Sequence, residues 1–101
     1  MLSIFKSFFK PSVDVFKLIK EGAIIIDVRS KSEFDSGHIK QSKNIPLEKF
    51  TTEIPKLKKL NKPIITVCRS GNRNSIAKSQ LTSKGIEAYN GGTWTRLNNQ
   101  I

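Results

Sequence analysis

Cys68 is the one thiol in the chain, and it stands where the apolar stretch Pro63-Ile64-Ile65-Thr66-Val67 meets the polar run Arg69-Ser70-Gly71-Asn72-Arg73-Asn74. An arginine lies on each side of this loop, and a helix-like segment follows at once. A thiol set among backbone N–H donors and positive charge is favoured as the thiolate, which is the nucleophile. The amides of Arg69 to Arg73 can wrap the sulfur, and the N-terminus of the next helix reinforces that anion-binding concavity. Gly71 supplies the backbone freedom that close wrapping requires. The chemistry implied is nucleophilic attack by a sulfur that the amides and arginines activate as its thiolate. A small hydrophobe buried at a strand end would need neither arginine.

The elements that must position this loop follow from the pattern around it. Ala23-Ile24-Ile25-Ile26-Asp27-Val28 and Pro63 to Val67 are nearly unbroken apolar runs, which is how strands buried on both faces read. Asn74 to Lys84 is expected as a helix with Ile76, Ala77, Gln80 and Leu81 on its packed side and Gly85 as its stop. Ser30-Lys31-Ser32-Glu33 has the spacing of a capping box, so a short helix should begin there and end near Gly37. Pro11-Ser12 opens another helix that carries Val13, Val15, Phe16 and Ile19 and ends at Gly22. Asn44 to Leu47 reads as a brief extended piece, and Leu47 to Leu60 as a helix divided by Pro55. Ile86 to Tyr89 is a short strand, Asn90-Gly91-Gly92 a turn, and Thr93 to Leu97 the start of a terminal helix. Strands alternating with helices imply an α/β domain with a mostly parallel sheet. Ligands bind beyond the carboxyl ends of the strands in such folds, and Asp27, Arg29 and Cys68 all fall there.

Composition narrows the function classes. At 101 residues there is room for one core: a domain over 12–101 with an N-terminal extension over 1–11. One cysteine excludes an internal disulfide and a cysteine-rich zinc site, and the single His38 leaves almost no ligand set for a transition metal, so no cofactor is expected. An isolated thiol fits a reducing, cytoplasmic setting. The net charge of +10, with a cluster at Lys56, Lys58, Lys59 and Lys62, is read as a solvated basic surface. No motif of a specific nucleic-acid reader accompanies it. The extension places Leu2, Phe5, Phe8 and Phe9 on one side of a helix that either docks on the domain, the preferred reading, or lies on a membrane surface, and it is too short and too interrupted by lysine to cross a membrane.

Taken in order, Ile25-Ile26-Asp27-Val28-Arg29, Glu33-Phe34, Gly37-His38-Ile39, Asn44-Ile45-Pro46 and Cys68-Arg69-Ser70-Gly71-Asn72-Arg73 resemble the successive motifs of the rhodanese family of sulfurtransferases. Asn90-Gly91-Gly92 with Trp94 resembles its C-terminal signature, so the likeness runs over roughly residues 12 to 97. It implies a small parallel sheet flanked by helices and an active-site loop from Cys68 to Arg73. By that likeness Cys68 is the catalytic residue. It takes sulfane sulfur as a persulfide from a small anionic donor such as thiosulfate and passes it to a thiol or cyanide acceptor. Arg69, Ser70, Gly71, Asn72 and Arg73 bind the substrate. Asp27 either shapes the pocket, pairs with a loop arginine or caps the next turn. Arg29 is the second candidate for shaping the pocket but reads first as a structural ion pair, His38 as a structural hydrogen-bonding residue and Trp94 as core packing. Two rivals remain: a non-catalytic binding module of the same fold, and a cysteine phosphatase. The phosphatase loop resembles Cys-x5-Arg, whereas Arg73 here closes a Cys-x4-Arg loop.

Overall fold

The computed structural model describes residues 14–70 and 72–101. The expected N-terminal extension and Gly71 lie outside the described residues. The chain runs α1 (Val15–Lys20), β1 (Ile24–Asp27), α2 (Lys31–Ser36), β2 (Lys43–Asn44), a 3-10 turn (Leu47–Lys49), α3 (Phe50–Leu60), β3 (Ile64–Cys68), α4 (Asn72–Ser83), β4 (Ala88–Thr93) and α5 (Trp94–Gln100). The four strands form one sheet in the order β2-β1-β3-β4, with every pair parallel. This is the α/β architecture that the apolar runs imply.

Alternation along β1 and β3 splits the core into two layers. Ile26, Val28, Ile64 and Cys68 pack with Phe50, Ile54 and Leu57 of α3 and Ala77 and Leu81 of α4. Ile25, Ile65 and Val67 pack on the opposite face with Leu97 of α5 and Leu18 and Ile19 of α1. The strand order also fixes where a crevice opens. From β1 the chain crosses to β2 on one side, and from β3 it crosses to β4 on the other. The carboxyl ends of the neighbouring β1 and β3 therefore mark the topological switch point, where Asp27 is in register with Val67.

Three local expectations differ from the structure. Pro55 does not divide its segment: α3 is continuous from Phe50 to Leu60. A proline inside a helix costs about 3 kcal/mol, since it leaves the carbonyl four residues back without a donor. Phe50, Ile54 and Leu57 are buried at helical spacing, each worth about 1.5–3 kcal/mol, and together they outweigh it. Thr51, whose carbonyl loses its partner, is exposed and can turn to water. Asn90-Gly91-Gly92 is not a turn but part of β4, which passes so close to β3 that a Cβ on Gly91 would meet Ile65 Cγ2 at 2.7 Å. Gly92 takes a φ of +81° beside the register shift opposite Thr66 to Cys68. Finally, Ile76 is 49% exposed, while Asn74, Ala77 and Leu81 form the buried side of α4.

Candidate functional site

Cys68 is the last residue of β3, and its side chain is fully buried on the α4 side of the sheet. The chain then bends through Arg69 and Ser70, both exposed, and enters α4 at Asn72. Arg69 and Ser70 form the connection at the end of β3, whereas Asn72 and Arg73, expected in the loop, are the opening residues of α4. The partner of the sulfur is a residue that the pattern did not single out. Cys68 Sγ donates to Asn74 Oδ1 at 2.9 Å. Asn74 is itself fully buried, and its Nδ2 donates to the Gly92 carbonyl (3.0 Å), the Thr66 carbonyl (3.3 Å) and Asn90 Oδ1. Thr66 Oγ1 returns a bond to the Asn74 carbonyl at 2.9 Å. One carboxamide therefore links the sulfur, β3, the first turn of α4 and the glycine-bearing end of β4. The signal was present in helical spacing: positions 74, 77 and 81 share a face, which puts a polar side chain where only a satisfied one survives burial.

Arg73 does not point freely at the sulfur. Its Nη1 and Nη2 donate to Glu33 Oε1 and Oε2 at 2.8 and 3.1 Å, a bidentate pair joining α4 to α2. Glu33 Oε1 also accepts from the Ser30 backbone N–H at 3.0 Å and thereby closes the capping box. The Arg73 guanidinium, followed by the Ser30 N–H, brings the Glu33 carboxyl down to about 2 from its ordinary 4.5. Glu33 was legible as a cap, but its second role, across 40 residues of chain, was not.

Asp27 and Arg29 sit at the same edge of the sheet on the other face. Arg29 Nε donates to both Asp27 oxygens (2.9 and 3.0 Å), and Nη2 donates to Asp27 Oδ2 and to the Gly37 carbonyl, each at 2.7 Å. Nη1 reaches the Glu33 carbonyl at 3.2 Å. The guanidinium lies 4.5 Å from the ring centroid of Trp94, on the side of the α5 layer. Asp27 Oδ1 additionally accepts from the Arg29 N–H at 3.0 Å. Of the roles open to Asp27, the structure thus gives it Arg29 as partner and the cap of the following turn, and no loop arginine. Asn44 Nδ2 braces that turn by donating to the carbonyls of Asp27 (3.0 Å) and Arg29 (2.9 Å). His38 stacks on Phe34 with ring centroids 3.8 Å apart, and its Nδ1–H donates to the Phe34 carbonyl at 2.7 Å.

Two cavities flank the loop. One of about 490 Å³ is lined by Ser70, Gly92, Arg96, Leu97 and Phe16. The other, of about 370 Å³, is bounded by Arg73, Ser30, Val28, Leu47 and Glu48. The cavities lie on either side of α4's first turn and reach Ser70 and Arg73, but not the buried sulfur itself. No helix among the described residues is long and apolar enough to cross a membrane.

Residues 13–93 match the rhodanese-like domain family. The thiosulfate sulfurtransferase GlpE of Pseudomonas savastanoi pv. phaseolicola is 34% identical over 69 residues, a stretch covering 68% of this chain and 64% of that protein. Among solved structures, the Bacillus anthracis protein CoADR-RHD superposes with a TM-score of 0.67 at 30% identity, over 85% of this chain but 15% of that one. The human single-domain sulfurtransferase TSTD1 superposes with a TM-score of 0.65 over 89% of this chain and 96% of its own. Its 24% identity speaks to the fold alone.

Proposed function

Because the chain belongs to the rhodanese-like domain family, we propose that it is a sulfurtransferase in which Cys68 carries sulfane sulfur as a persulfide. The observation that carries this reading is the place of the sulfur: the carboxyl end of a central strand, at the switch point of the sheet, leading through a short loop into α4. The name of the Pseudomonas relative supports thiosulfate, or a similar small anion, as donor.

In the first step the Cys68 proton leaves to solvent and the thiolate attacks the outer sulfur of the donor. A new sulfur–sulfur bond forms as the donor's own breaks, and sulfite departs with the bonding pair. A cyanide or thiolate acceptor then takes the outer sulfur and returns the Cys68 thiolate, a two-step ping-pong scheme. The two arginines divide the work. Arg69 is exposed on the loop and meets the donor's sulfonate oxygens, while Arg73, paired with Glu33, supplies positive charge near the sulfur. The amides of the Arg69 to Arg73 loop hold the anionic persulfide. The four residues between Cys68 and Arg73 favour sulfur over phosphate as cargo, and the commitment of Arg73 to Glu33 removes the clamp a phosphatase would need.

The test is intact mass after incubation with thiosulfate. We expect a gain of one sulfur atom that cyanide removes and that Cys68→Ser never shows. No gain would sink the proposal. A binding module would keep its binding in Cys68→Ser, and a phosphatase would turn over a phosphate ester faster than thiosulfate.

A further inference from the structure

We propose that Asn74 is a positioning residue that holds the resting Cys68 sulfur, as a hydrogen-bond donor, in a closed position that the sulfur must leave to react. Its consequence for sulfur loading rests on the persulfide reading above; the hydrogen bond and the closed position do not.

The direction of the bond follows from the network. The Nδ2 side of the Asn74 carboxamide faces three oxygens: those of Gly92, Thr66 and Asn90. The Asn90 oxygen is oriented in turn, because it accepts from the Gly92 N–H at 2.8 Å while Asn90 Nδ2 donates to Ser75 Oγ at 2.8 Å. Turning the Asn74 carboxamide over would set its oxygen against three others. Oδ1 must therefore face Cys68, and a carboxamide oxygen only accepts, so the hydrogen belongs to sulfur.

A thiolate or a persulfide has no hydrogen on Sγ to offer. Left in place, it would hold two electron-rich atoms 2.9 Å apart inside the core. Asn74 cannot withdraw, since it is fully buried and tied to both β3 and β4. The movable atom is Sγ, which turns about the Cys68 Cα–Cβ bond toward the loop. Its resting burial agrees: at 0% exposure, Cys68 offers no surface to an electrophile. Loss of the proton and exposure of the sulfur are thus one event. Asn74 keeps the thiol closed, and giving up its hydrogen bond is the step that frees the sulfur to turn.

With one cysteine in the chain, the S–H stretching band in infrared or Raman spectra reports on Cys68 alone. The resting protein should show it displaced to lower frequency, as a bonded thiol requires. Asn74→Ala should return it toward the unbonded position and speed alkylation by iodoacetamide about tenfold, the scale of one neutral hydrogen bond. Thr66→Val removes a bond to the Asn74 carbonyl but leaves the sulfur contact intact, so it should change neither readout. An undisplaced band in the unmodified protein overturns the proposal without needing any variant to fold, and equal acceleration in Thr66→Val overturns it as well. The two readings separate cleanly. A sulfur gain with an undisplaced band refutes the Asn74 assignment alone. A displaced band with no gain from thiosulfate supports the assignment and refutes the persulfide.

Discussion

Two arginine–carboxylate pairs stand at the carboxyl edge of the sheet and do opposite kinds of work. Arg29 and Asp27 are 4% and 0% exposed, and every nitrogen of the guanidinium is engaged, on a carboxylate or on the backbone oxygens of Glu33 and Gly37. Arg73 and Glu33 are 35% and 29% exposed and joined by two parallel bonds, with the rest of the guanidinium open to a cavity. The first pair fastens β1, α2 and, through Trp94, α5 into one unit. The second spans α2 and α4 beside the segment that follows Cys68. A buried charge left without its partner is far more costly than an exposed one. The sheet edge is therefore rigid on the α5 side and adjustable on the side where the sulfur lies.

Breaking the buried pair should have the largest effect. Arg29→Leu leaves the Asp27 carboxylate unpaired at zero exposure, and Asp27→Asn does the reverse to Arg29. Either should cost roughly 3–5 kcal/mol, read as a lower urea midpoint at unchanged slope. Against a typical total of roughly 5–15 kcal/mol that is a large share. The double variant should lose clearly less than the sum of the two, because no orphaned charge remains. Additive losses would show that the pair is not the fastening it looks to be.

A smaller loss tests the same unit from its far side. Trp94→Leu keeps an apolar contact with the second core layer but removes the ring over Arg29. We expect a loss of about 0.5–2 kcal/mol. The iodoacetamide reactivity of Cys68 should not change, since Trp94 and the sulfur lie in different layers.

The sequence made the frame of this site readable and left its connections obscure. Apolar runs beside Asp27 and Cys68 announce buried parallel strands, whereas the order β2-β1-β3-β4 came only with the structure. The Ser30–Glu33 box is local, so its spacing suffices. The pairing of Glu33 with Arg73 is not local, and no periodicity reports which of several arginines a carboxylate will meet. Asn74 was hidden by its type: an asparagine in a helix reads as surface or cap, and only the burial of its neighbours Ala77 and Leu81 marks it as core. Pro55 and Gly91 misled for one reason. Their local preferences are real, but burial of Phe50, Ile54 and Leu57 overrides the first, and the closeness of Ile65 makes the second a requirement of the strand.

The smallest effect is the one that fixes the contrast between the pairs. Glu33→Gln removes the charge facing Arg73 but retains an oxygen for the Ser30 N–H, so the cap survives. For a pair this exposed the loss at neutral pH should be at most about 1 kcal/mol. Its pH dependence has a definite sign. Glu33 holds its proton less tightly in the folded chain than in the unfolded one, with a carboxyl near 2 against an ordinary 4.5. The stabilisation is therefore complete above the unfolded value and fades as pH falls through the folded one. Urea melts of the two proteins should differ above pH 4.5 and converge as pH approaches 2. A difference that persists in acid would mean that Glu33 acts through packing rather than charge. A loss as large as that of Arg29→Leu would erase the distinction between a rigid and an adjustable side of the site.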